Sequence, residues 1–251
     1  MIDLHSHILP GLDDGAQTLA ESLAIARSMA ADGVKIVAAT PHVRADYPTS
    51  SAAMKEALTL VRAAVAQEGI DIDVRGGGEI GLDRLRHLSA EALGQFGLGG
   101  NPRLVLLEYP YYGHAPTLAH DCAALCGQGF VPVIAHPERN QMVQARPADI
   151  EEIVGAGAII QVTAASIEGR LGRAAAQSAR YLLEHELVHL VASDAHAPGV
   201  REAGLSGAAE AVGGGDLARW LTFLVPEALL AGEELPPRPA GERKRRRLLG
   251  R

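Results

Sequence analysis

Ile2-Asp3-Leu4-His5-Ser6-His7 opens the chain, and its reading carries over to the runs that follow. Successive side chains of a strand point to opposite faces, so His5 and His7 share one face. Paired imidazoles at the end of an apolar run form a metal-ligand pattern. The same kind of ending recurs in Thr40-Pro41-His42, Gly78-Glu79, Leu107-Glu108-Tyr109, Ala135-His136-Pro137 and Ser193-Asp194-Ala195-His196. Residues so far apart in sequence share a site only if the fold gathers the strand ends. A barrel of parallel strands does this at the C-terminal face of its strands.

Working outward, apolar β-branched runs lie at 2–7, 34–40, 72–79, 104–108, 131–136, 159–163 and 188–194. They are close to continuously apolar, as expected of strands covered on both faces. Helical stretches separate them. Thr18-Leu19-Ala20-Glu21 is a capping-box start, and residues 52–68 continue the pattern after the second run. Strands alternating with helices give a barrel or an open doubly wound sheet. An open sheet places its site at one switch point, whereas ligand-type residues here close six of seven runs. The expected architecture is α/β, a distorted (β/α)7 TIM-like barrel with a metal site at the C-terminal strand ends.

Composition narrows the function classes. The chain has 251 residues, 47% hydrophobic but only 4% aromatic, so its core must be mostly Leu, Val, Ile and Ala. A formal charge of −7 argues against nucleic acid as a partner. No basic stretch followed by an apolar run opens the chain, and no apolar run approaches the ~20 residues that cross a bilayer. The expectation is a cytoplasmic protein. Residues 1–232 are read as one barrel domain. Residues 233–251 form a Pro-rich and basic tail, with Pro236-Pro237-Arg238-Pro239 leading into Arg243-Lys244-Arg245-Arg246-Arg247. A block of like charge after prolines is expected to be solvated and flexible; contact with an acidic partner or an anionic membrane surface is the alternative. Cys122 and Cys126 read as helix-face thiols, and neither is followed by the arginine of a Cys-x5-Arg phosphate loop.

Five histidines with four carboxylates and no thiolate make a catalytic rather than a structural metal set. The residues are His5, His7, His42, Glu79, Glu108, His136, Asp194 and His196, with a further carboxylate from Asp13 or Asp14 in the turn Gly11-Leu12-Asp13-Asp14-Gly15. His87, His114, His120, His185 and His189 stand apart and read as ordinary surface or hydrogen-bonded histidines. Nine ligands suffice for two or three ions if a carboxylate bridges.

Taken together, His5-Ser6-His7, Asp13-Asp14-Gly15, Thr40-Pro41-His42, Glu79, Glu108-Tyr109-Pro110, Ala135-His136-Pro137-Glu138-Arg139 and Ala192-Ser193-Asp194-Ala195-His196 resemble the motifs of the polymerase-and-histidinol-phosphatase (PHP) superfamily. Within it, the chain is similar to the bacterial manganese-dependent protein-tyrosine phosphatases of capsule and exopolysaccharide clusters, from Met1 to about residue 212. The resemblance implies a seven-stranded PHP barrel holding three divalent ions, Mn first, with Fe or Zn as alternatives. His5, His7, Glu79 and Asp194 would hold one. Glu79, Glu108 and His136 would hold the second, and Asp14, His42 and His196 the third. Arg139 would bind phosphate, with Arg201 as a second candidate.

The implied reaction is hydrolysis of phosphotyrosine by metal-activated hydroxide. The implied partner is a phosphotyrosine protein, such as a bacterial tyrosine kinase of polysaccharide export. Phenolate leaves readily because tyrosine's pKa is near 10. Tyr109, Tyr111 and Tyr112 could rim the site. Two alternatives stay open: a small-molecule phosphomonoesterase such as a histidinol phosphatase, and a docking or assembly partner of an export kinase.

Overall fold

The structure, a computed structural model, describes residues 1–197 and 203–239. Arg201 and the basic run Arg243–Arg247 lie outside the described residues. Among the described residues there are nine strands: β1 Ile2–Ser6, β2 Ile36–Ala39, β3 His42–Val43, β4 Asp73–Gly76, β5 Glu79–Gly81, β6 Leu104–Glu108, β7 Val131–Ala135, β8 Ile159–Thr163 and β9 Leu190–Ala192. All pairings between them are parallel. They form a three-stranded sheet, β1-β2-β4, and a six-stranded sheet, β3-β5-β6-β7-β8-β9.

The second and third expected runs are each accompanied by a second short strand. Pro41 has no N–H to give to a ladder, so the second run ends in β2 and pairing resumes just beyond it in β3. The third breaks at Gly77-Gly78 into β4 and β5. Backbone bonds continue across the breaks, from Thr40 N to Ser6 O at 2.8 Å and from Glu79 N to Pro41 O at 3.0 Å. The far edge returns to the first strand: Asp194 N donates to His5 O at 2.9 Å and His7 N to Ala195 O at 2.8 Å.

The core explains the apolar runs. Leu106 and Leu107 point to opposite faces of β6, yet both are fully buried, as are Val133 and Ile134 in β7; Ile159 and Ile160 in β8 are buried as well. Burying each such side chain is worth roughly 1.5–3 kcal/mol, so both faces of these strands hold the fold together. Outside them, α1 (Leu19–Ala31) starts as the capping pattern predicts, with Thr18 Oγ1 accepting from Glu21 N at 3.2 Å. The Glu21 carboxylate reaches back one residue further than in the standard box, to Gln17 N at 2.6 Å. The next helix, α2 (Ser51–Gln67), is capped by Ser50.

Within the stretch read as the tail, Pro236 and Arg238 contact the body. Trp220 Nε1 donates to Pro236 O at 2.9 Å. Arg238 lies 5.1 Å over the Trp220 ring and donates to Val188 O at 2.6 Å and to Leu183 O. An arginine on an indole face with two carbonyls to bond is a docked side chain, not a solvated one. Among the described residues no helix is long and apolar enough to cross a membrane.

Candidate metal centre

The strand register brings the polar ends level. His42 pairs with Glu79 across β3–β5, Gly81 with Glu108 across β5–β6, and Glu108 with Ala135, next to His136, across β6–β7. All nine proposed ligands enter four overlapping groups whose ligating atoms lie within 4.8 Å of one another: His7-Asp14-His42-His196, His5-Glu79-His136, His5-His7-Asp194 and His42-Glu79-Glu108. The five histidines set aside enter none of these groups. Glu108 sits with His42 and Glu79, and His136 with His5 and Glu79, so the grouping runs across the three expected sets.

His5 and His7 stand between the carboxylates of Glu79 and Asp194. His5 Nε2 and His7 Nε2 are 3.2 Å apart. Each lies 3.4 Å from Glu79 Oε2 and 3.3 Å from Asp194 Oδ1. Both imidazole nitrogens thus face both carboxylates at separations that ligands sharing a divalent ion would have. Asp14 Oδ1 lies 3.4 Å from His42 Nε2 and 3.3 Å from His196 Nε2. Glu79 Oε1 is 2.9 Å from His136 Nε2, and Glu79 Oε2 is 2.8 Å from His42 Nδ1. Glu79 Oε2 and His42 Nδ1 are both buried, and close as they are to each other they are not in hydrogen-bonding geometry. Buried polar atoms are normally partnered, so this donor set fits divalent cations.

Neighbours aim the ligands. His7 Nδ1 faces Asp13 Oδ2 at 2.7 Å and His5 Nδ1 faces Gln161 Oε1 at 2.9 Å, which turns each Nε2 toward the cluster. Asp13 also accepts from His42 N and Gly15 N, both at 2.9 Å. Its role is orientation, and Asp14 is the one that faces His42 and His196. A Cβ on Gly15 would sit 2.2 Å from His7 O, so only glycine lets this turn close on the ligand strand. His136 and Asp194 have φ of 37° and 51°. Left-handed backbone at non-glycine residues is strain that the surrounding fold must hold.

The charges are interlocked. Burial opposes the charged ring of His5, but Glu79 and Asp194 outweigh it and its pKa is raised. Burial likewise opposes His7, whose hydrogen bonds to Asp13, Asp194 and Glu79 raise it well above the usual value. His42 is raised to about 9, with Glu79 and Asp14 prevailing over burial. Glu79 and Asp194 are held well below the carboxylate range despite burial, by His5 and other cluster histidines. Glu108 is pushed up to about 7 by burial and by Glu79. Burial takes His136 down to about 4. Protons therefore occupy ring positions where cations would bind, and binding must release them.

Arg139 borders this cluster. Its Nη1 donates to Asp194 Oδ2, and its guanidinium lies 4.5 Å over the Tyr111 ring. Tyr111 in turn stacks on His136 at 5.4 Å and 11°. Glu138 turns inward to accept from Ser166 Oγ at 2.6 Å and Thr163 N at 3.0 Å. Asn140 caps the helix Gln141–Ala145 and donates to Pro110 O and Gly113 O, tying down the loop with Tyr111 and Tyr112. Arg44 was not among the residues singled out from the sequence. It lies two positions after His42, just past β3, and donates to Glu108 Oε1 at 2.6 Å. Its spacing from His42 was the available signal. Cys122, pushed up to about 12 by burial, is a protonated thiol.

The chain is similar to several known proteins. The family model for capsular polysaccharide synthesis, CpsB/CapC, matches residues 1–229. The tyrosine-protein phosphatase YwqE of Bacillus subtilis is 35% identical over 200 residues, 78% of this chain and 77% of that one. CpsB of Streptococcus agalactiae serotype V, also a tyrosine-protein phosphatase, is 30% identical over 209 residues, 80% of this chain and 85% of that one. A solved structure from the work on YwqE and Streptococcus pneumoniae CpsB, described as metal-dependent tyrosine phosphatases, superposes with a TM-score of 0.86 at 31% identity. It covers 96% of this chain and all of that one. A lactonase from Listeria monocytogenes, at 13% identity and a TM-score of 0.52, shares the fold alone. With a family model spanning nearly its whole length and relatives above 30% identity, the chain belongs to the CpsB/CapC family of capsular polysaccharide synthesis proteins.

Proposed function

We propose that this protein is a metal-dependent protein-tyrosine phosphatase whose substrate is a phosphotyrosine protein, such as a bacterial tyrosine kinase of polysaccharide export. The observation that carries this reading is the juxtaposition of the four-donor group His5-His7-Glu79-Asp194 with Arg139, which bonds Asp194 and stacks on Tyr111. We assign the work to a seven-stranded barrel of residues 1–232. The split strands count once each, and the bonds from Asp194 and His7 support closure between the last strand and the first. Residence in the cytoplasm belongs to the same reading and is consistent with two free cysteines.

Three divalent ions, with Mn as the first candidate, would be held by His5, His7, Asp14, His42, Glu79, Glu108, His136, Asp194 and His196. Bound cations lower the pKa of water and neutralise phosphoryl charge. The protein's own residues do the rest. Arg139 offers a planar fork to phosphate oxygens, and its stack on Tyr111 with its bond to Asp194 fixes the plane of that fork. Asn140 holds the Tyr111–Tyr112 loop, and Tyr112, 76% exposed, offers a ring at the rim for the substrate's aromatic side chain. On the other side a cleft of about 480 Å³, lined by Leu12, Asp13, Tyr47, Pro48 and Thr49, leaves room for the chain carrying that side chain.

The test is phosphate release from a phosphotyrosine peptide by metal-stripped protein with Mn, Zn, Mg or no ion restored, and histidinol phosphate in parallel. Peptide turnover that returns with Mn is expected. Preferential turnover of histidinol phosphate, or equal turnover without any ion, would overturn the reading.

A further inference from the structure

Arg44 lies in a tight reversal between β3 and α2. Its N–H donates to Tyr47 O at 3.1 Å, and Val43 bridges antiparallel to Pro48. The side chain turns back over the metal centre and is gripped at three points. Nη1 donates to Glu108 Oε1 at 2.6 Å, Nε lies 2.8 Å from Asp46 Oδ1, and the guanidinium sits 5.2 Å over the Tyr47 ring. Tyr47 stacks on the ligand His42 at 5.6 Å and 19°. The neighbouring strand makes room for this arrangement. Gly81 pairs with Glu108 in the β5–β6 ladder, and a Cβ there would lie 2.8 Å from the Arg44 Cβ and 2.4 Å from Asp83 Oδ1. Asp83 in turn accepts from Ala45 N at 2.9 Å.

The Glu108 carboxylate is thereby divided. Oε1 belongs to Arg44, and Oε2 faces the cluster, 3.8 Å from His42 Nδ1. A carboxylate left to itself beside Glu79 would be repelled by it and free to rotate. A charge-assisted bond to one oxygen presents the other in a fixed direction. We propose that Arg44 is a positioning residue that holds Glu108 in ligating orientation, so that the ion site shared by Glu79, Glu108 and His42 depends on a side chain that binds no ion itself. This rests on the reading of Glu108 as a cation ligand.

The test measures ions, not only turnover. Wild type, Arg44→Gln, Arg44→Lys and Gly81→Ala are stripped and titrated with Mn by calorimetry. Bound Mn is then counted by elemental analysis at limiting metal, and apo-protein thermal melts report folding. Arg44→Gln should bind at least one Mn about 10–100-fold more weakly, and the Mn needed for half-maximal activity should rise by the same factor. Arg44→Lys should recover part of the affinity, and Gly81→Ala, which displaces the arginine stem without altering charge, should lose it again. Wild-type affinity in Arg44→Gln would overturn the proposal. Full ion content with a raised KM would also overturn it, in favour of direct phosphate binding by Arg44. A wild-type protein that takes up no ion would sink the metal reading itself, a distinct failure.

Discussion

His42 and His189 stand at opposite ends of the strands. His42, at the C-terminal end, holds its proton up to about 9. His189, just before β9, is pushed down to about 4. Burial disfavours the charged ring in both. At the upper end Glu79 and Asp14 overcome it. At the lower end Arg238 adds to it, and the neutral ring accepts from Ile160 N at 3.1 Å through Nδ1. The lower end is internally settled, with Arg238 satisfied by carbonyls and Trp220. The upper end concentrates carboxylates and imidazoles, and atoms such as Glu79 Oε2 lack a hydrogen bond. One end serves packing, while the other gathers the candidate ligands of a metal centre.

The sharpest way to break this contrast is Glu79→Gln. Glu79 faces His5, His7, His42 and His136 at 2.8–3.4 Å, so its loss should lower kcat/KM by at least about 10³-fold and deplete bound metal. Retained metal and activity would remove Glu79 from the centre. Arg139→Ala comes next. It should cost about 10²–10³-fold in kcat/KM with metal content preserved, and loss of metal would make Arg139 part of the ion-binding frame instead. Asp13→Asn leaves shape intact but weakens the grip on His7. Calorimetry should show Mn affinity about 10–100-fold lower, and an unchanged affinity would deny Asp13 its orienting role.

A pH series sharpens the comparison. In the metal-free protein Glu108 keeps its proton to about 7 and His42 to about 9. An entering cation displaces these protons, so affinity should climb between pH 6 and 9, by up to roughly tenfold per unit for each proton released. Affinity flat across that range would contradict the charge pattern. The lower end should give the smallest effect. Unfolded histidine ionises near 6.5 and folded His189 near 4, so the folded state binds fewer protons and stability rises with pH across that window. His189→Gln should flatten that slope, removing a dependence of about 1–3 kcal/mol, visible in urea melts at pH 4.5 and 7. Turnover should not change.

Much of this was legible because strands and ligands have short-range signatures. The alternation in His5-Ser6-His7 predicts one face. The apolar runs predict strands, and His, Glu or Asp at their ends predicts a shared face. Asp14 is separated from Asp13 only by the resemblance and then by the coordinates, since adjacent aspartates in one turn look alike until it is known which of them meets His7 Nδ1. The spacing of Arg44 from His42 did not reveal its role, because that role lies in a partner 64 positions away. The contacts of Arg238 were not legible because composition reports charge and proline, whereas Trp220 and the carbonyls of Leu183 and Val188 are what hold it.

By itself the sequence determined the alternation of strand and helix, the chemistry of the donor set and the class of ion it suits, because these follow from residue type and local period. Only the tertiary structure decided which donors share which group, which nitrogen of each histidine faces inward, and which charged neighbours raise or lower each proton. Those outcomes depend on distances between side chains that are remote along the chain, and distance sets the size of every electrostatic effect at the site.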